Sequence, residues 1–76
     1  METNKELKEK IYEYLLNTPE EYTTVTHVCN YIYESEPMRC QKLEVNEIMS
    51  SEFKDCTNKH NKYIYIVSEC VKKIIL

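Results

Sequence analysis

Seventy-six residues, 42% apolar and 30% charged, suit one small folded domain and leave no room for a catalytic domain beside a regulatory one. The formal charge of −3 is a poor balance for a generic polyanion binder, and the complete lack of glycine rules out Gly-rich phosphate loops. The longest apolar run, Tyr63 to Val67, is far too short to span a bilayer.

The first predicted element is a helix that Thr3 can cap, with Glu6 three residues on completing a capping box. Leu7, Ile11, Tyr14 and Leu15 then recur at helical spacing as one apolar stripe. Asn17-Thr18-Pro19 ends it, because the residue before proline is driven out of the helical region. A very short extended stretch is expected around Tyr22-Thr23. Thr24 caps a second helix, with Val25, Val28, Cys29 and Ile32 on one face, running to about Tyr33 or Glu34. Ser35-Glu36-Pro37 interrupts the pattern, and Pro37 suits a first helical position or the turn before it.

A third helix is predicted over about 40–51. Val45, Ile48, Met49 and Glu52 share its packing face, and Gln41, Lys42, Asn46 and Ser50 share a polar one. Glu44 and Glu47 sit on the remaining flank, where they would repel a phosphate backbone turned towards them. Residues 53–67 read as a hairpin: Phe53 as anchor, a polar turn within Asp55 to Lys62, and an alternating strand Tyr63 to Val67. Ser68 is placed to cap a last short helix with Cys70, Val71, Ile74 and Ile75 on one side; a further strand is the alternative. This apolar tail either covers the core or forms a dimer contact.

Charge is unevenly distributed. Residues 1–37 carry three Lys against eight Glu, and residues 38–76 carry seven basic against five acidic side chains. The positive residues therefore gather around the third helix and the hairpin.

Cys29, Cys40, Cys56 and Cys70 are widely spaced and form no C-x-x-C. Met1 to Lys5 lacks the apolar segment of a secretory signal, so the chain is expected to be intracellular, in cytoplasm or nucleus, with free thiols rather than disulfides. His27-x-Cys29 and Cys56-x-x-x-His60 match no common structural zinc site, so neither a metal nor any other cofactor is expected. No Ser/His/Asp or Cys/His arrangement has a supporting context, which points away from enzymatic chemistry.

Three helices followed by a β-wing resemble the winged helix-turn-helix superfamily. The expected fold class is thus α+β: three helices plus a β-hairpin wing and an optional short C-terminal helix, as a single domain over residues 1–76. Val45-Asn46-Glu47-Ile48-Met49, followed by the wing and its aromatic strand, is similar to the recognition helix of viral and cellular Z-alpha domains, which bind left-handed Z-form DNA or RNA. That resemblance implies Asn46 on a phosphate, Lys42 as its basic neighbour, and Tyr65 or Tyr63 as the strand aromatic. Two positions depart from the family: its tyrosine four residues after the asparagine is Ser50 here, and its Pro-Pro-x-Trp is replaced by Lys62-Tyr63-Ile64-Tyr65.

The leading expectation is binding of duplex nucleic acid through Arg39, Gln41, Lys42 and Asn46 on the third helix and Lys59, His60, Lys62, Tyr63 and Tyr65 on the wing. The alternative is a protein-interaction module, or an acidic inhibitor of a partner protein, with a homodimer through the apolar tail as one form. No membrane partner is expected. The Lys-, Asn-, Ile- and Tyr-rich residue choice suits a virus, phage or AT-rich microbe.

Overall fold

The computed structural model describes residues 4–34 and 36–75. It is a small α+β fold of four α-helices and a two-stranded antiparallel sheet, an arrangement compatible with a winged helix.

Helix α1 spans Asn4–Asn17. Its predicted stripe is its buried face: Leu7, Ile11, Tyr14 and Leu15 all enter the core. The proposed cap Thr3 lies outside the described residues. Beyond α1, strand β1 (Tyr22–Thr23) carries Thr23 inward, where its hydroxyl shares a 2.9 Å hydrogen bond with that of Tyr14. Each buried hydroxyl thus satisfies the other.

Helix α2 (Val25–Tyr33) starts as the sequence predicts: the Thr24 hydroxyl accepts the His27 N–H at 3.3 Å. It stops at Glu34, which adopts a left-handed conformation with φ 52° and donates its N–H to the Asn30 carbonyl. Glycine is the usual residue there, and a chain with none uses Glu34 at some steric cost. Pro37 is buried in the turn before helix α3 (Arg39–Glu52). The Gln41 side chain reaches back to accept the Met38 N–H at 2.8 Å, satisfying a donor at the start of α3.

The hairpin is the main departure from expectation. Phe53 is buried as its anchor, but Lys54–Cys56 forms a 3-10 turn and not a strand. One antiparallel bridge, Thr57 to Tyr65, closes the loop. Within it, asparagine side chains replace a ladder: Asn58 Oδ1 accepts the His60 N–H at 2.7 Å and Asn61 Oδ1 accepts the Tyr63 N–H at 2.9 Å. These local turns use the backbone donors that a longer hairpin would have paired. The expected strand Tyr63 to Val67 therefore shrinks to β2, Tyr65–Ile66. It pairs with β1, Tyr22 opposite Ile66 and Thr23 opposite Tyr65.

Helix α4 (Val67–Ile75) follows at once, so the optional C-terminal helix is present and the alternative strand is not. It begins one residue before the expected cap, Ser68, with the Val67 N–H donated to the Glu21 carbonyl at 3.0 Å. Val67 and Cys70 are buried, and Val71 and Ile74 pack half-buried against the core. The tail thus covers the core, leaving Ile75 exposed. Phe53, Val45, Met49, Val28 and Cys56 complete one continuous apolar cluster. Full burial of such a side chain contributes about 1.5–3 kcal/mol. Ion pairs fasten the rim: Lys8 to Glu52 at 3.0 Å joins α1 to α3, and Lys73 to Asp55 at 3.5 Å joins α4 to the 3-10 turn. Among the described residues no helix is long and apolar enough to cross a membrane.

Candidate functional site

Helix α3 is two-sided beyond its buried face. At 3.6 residues per turn, Lys42, Asn46, Arg39 and Ser50 fall within an arc of about 80° on one flank. Glu44, Ser51, Cys40 and Glu47 occupy the other flank. Glu44, Glu47, Ile48 and Ser51 line a separate shallow groove of about 180 Å³ on that acidic side. The two acids therefore fall on a different flank from Asn46, which reduces the repulsion their presence would cause.

On the Asn46 flank lies a cleft of about 410 Å³. It is lined at the start of α2 by Thr24, Val25 and Thr26. Asn46 of α3 and Asn61, Tyr63, Ile64 and Tyr65 of the following loop and β2 complete the lining. The β1–β2 pairing creates this space by drawing the 57–65 loop against the start of α2.

Of the predicted contact residues, the cleft gathers Asn46, Tyr63 and Tyr65. Tyr63 lies in the loop and not on a strand, with 74% of its surface exposed. Tyr65 is the reverse, 4% exposed and held in the core, where burial raises its phenol pKa. Arg39, Lys42, Lys59, His60 and Lys62 are exposed on α3 and the loop, outside the cleft lining. Gln41 is half-buried and its carbonyl oxygen is engaged in the cap of α3. Ser50, at the position of the Z-alpha tyrosine, turns its hydroxyl onto the Asn46 backbone carbonyl.

Among the described residues, Arg39, Lys42, Lys59 and Lys62 hold no carboxylate, as is also true of Lys5 and Lys54 elsewhere, whereas Lys8, Lys72 and Lys73 each do. The Asn46 side-chain amide has no hydrogen-bond partner among the described residues either. The first turn of α2 and Asn61 were not legible as site residues, since the long-range β1–β2 pairing places them. The glycine-free Asn58-x-x-Asn61 spacing was the available signal for a loop built on asparagine turns.

All four cysteines are free: Cys29, Cys56 and Cys70 are buried and Cys40 is exposed. Burial pushes the Cys70 thiol up to about 12, helped by the adjacent Cys56. Among the described residues no group of three or more His, Cys, Asp or Glu side chains converges on a point where a metal ion would sit. No protein-family model, curated protein or solved structure matches the chain.

Proposed function

We propose that this protein is a non-enzymatic nucleic-acid-binding domain of the winged-helix kind. In this reading the Asn46 flank of α3 and the 57–65 loop, as a reduced wing, lie along one duplex. The observation that carries it is the set of four cations without a carboxylate partner, Arg39, Lys42, Lys59 and Lys62, on the two elements that border the cleft. A cation already paired in the fold would have to break that pair to meet a phosphate; these do not. The acidic flank of α3 faces elsewhere, so the repulsion it would cause is reduced.

The test is a mobility shift with B-form, Z-prone and double-stranded RNA probes across a salt series. If all four cations meet phosphates of a B-form duplex, log affinity falls against log salt with a slope of roughly −3 to −4. Lys42→Ala or Lys59→Ala flattens that slope by about one each. Failure to bind any probe at low salt removes the reading. A preference for the Z-prone probe selects the Z-alpha likeness.

A protein-interaction role is the second reading, favoured by Tyr31. It is exposed and lines both a groove with Tyr14 and Pro19 and one edged by Lys10, Glu13 and Glu34. An exposed aromatic beside two acids and one lysine suits a partner segment with an apolar anchor and a net basic flank. Light scattering after size exclusion, with duplex and with a basic peptide, separates the two readings: a stable complex with the peptide that Tyr31→Ala abolishes favours the second.

A further inference from the structure

We infer that the cleft beside Asn46 receives a single unpaired nucleobase, adenine best, and that the preferred ligand is a duplex carrying an unpaired nucleotide. This rests on the nucleic-acid reading above and deepens it.

The lining is the first reason. Every side chain around the cleft is neutral, while the cations stand outside it on α3 and the loop. A phosphate needs cations, so the backbone belongs on the rim and something uncharged belongs inside. Tyr63 is the second reason. It is the most exposed large apolar side chain described, and its ring stacks on no other ring among the described residues. An exposed aromatic at the lip of a neutral cleft is a stacking platform for a base.

The amides supply the third reason. The unpartnered Asn46 amide offers one donor group and one acceptor side by side, the pattern that pairs bidentately with adenine N6 and N7. Asn61 spends its oxygen on the Tyr63 N–H but keeps its NH₂ group. That bond also fixes the backbone beneath the Tyr63 ring. Size agrees: about 410 Å³ falls at the small end of the roughly 300–1,000 Å³ that small-molecule sites occupy. A base or nucleoside fits such a space, and a base still stacked and paired in a duplex cannot enter it. The occupant must therefore come from a bulge, a hairpin loop or a strand end.

The experiment measures anisotropy of the full chain with three end-labelled duplexes: fully paired, with a single bulged adenosine, and with a bulged abasic site. The bulged adenosine is expected to bind roughly 5- to 150-fold tighter than the other two, the range that one base–aromatic stack supports. In Tyr63→Ala and in Asn46→Ala the bulged-to-paired ratio falls towards one, and in Tyr63→Phe it is retained. Both positions are exposed, and circular dichroism of each variant verifies the fold. Equal binding of all three duplexes, with no loss of ratio in the variants, overturns the inference and leaves the nucleic-acid reading standing. A bulged abasic site that binds as tightly as the bulged adenosine also overturns it, because bending and not the base is then recognised. No binding to any duplex at low salt removes both.

Discussion

Cys40 differs from the other three cysteines only in where its residue falls on a helix. It points to solvent from the first turn of α3, whereas Cys29, Cys56 and Cys70 occupy positions a small apolar side chain would fill. Burial raises the pKa of all three, and the thiolate is the reactive form. A native titration with an aromatic disulfide reagent at neutral pH is therefore expected to count one fast thiol, and the same titration in denaturant four. Three or four fast thiols in the native state would contradict the burial of α4 on the core. The sign with pH follows from Cys70, raised from 9.0 to about 12. Below pH 9 both folded and unfolded chains keep its proton. Between about pH 9 and 12 the unfolded chain sheds a proton that the folded chain retains, so stability falls as pH rises through that window. Urea midpoints measured from pH 7 to 11 check this, with a shallower decline expected in Cys70→Ala.

Helices proved readable where a single local pattern set both their existence and their ends. The α1 stripe, the Thr24 cap and the Pro37 turn each act within one or two helical turns, and the observed bounds follow them. The Tyr63 to Val67 run misled because alternation describes a strand only if a partner is available along its length. Here β1 offers two residues, the asparagine turns take the donors before Tyr65, and α4 takes everything from Val67. The candidate site divided the same way. Asn46 and Lys42 were legible from helical spacing, while the α2 side of the cleft depends on pairing between residues far apart in the chain, Thr23 with Tyr65 and Tyr22 with Ile66. Helix α4 carries its own test, because the sequence left its apolar side either as a core cover or as a dimer contact. Val67→Asp places an unpaired charge in the core, and a chain of this size has only about 4–11 kcal/mol of total stability. It is expected to cost more than about 3 kcal/mol and to abolish most of the cooperative thermal transition. Ile75→Lys, at an exposed position on the same helix, should change stability by no more than about 0.5 kcal/mol. A large loss from Ile75→Lys that depends on protein concentration would instead assign the end of α4 to a dimer contact.

Across the whole molecule an acidic first half and a basic second half of the chain pack into one body of 32 × 25 × 22 Å. Whether the acids on α1 are felt at the Asn46 flank depends on screening. The Debye length is about 30 Å at 0.01 M salt, comparable to the molecule, and about 8 Å at 0.15 M, well short of it. At low salt an approaching polyanion therefore meets the net charge of −3; at physiological salt it meets mainly the local cations. Glu9, Glu13 and Glu20 are exposed on or just beyond α1 and none of them lines the cleft. Replacing all three by glutamine moves the net charge to zero and touches no proposed nucleic-acid contact. Association with duplex, followed by stopped-flow fluorescence, is expected to accelerate several-fold in this variant at 0.01 M salt and to match the parent at 0.15 M. The dissociation rate should stay the same at both, since contacts at the rim of α3 and the loop are intact. An equal gain at high salt would mean that those acids lie close to the bound backbone, and the duplex would then have to cross α1 instead of the cleft.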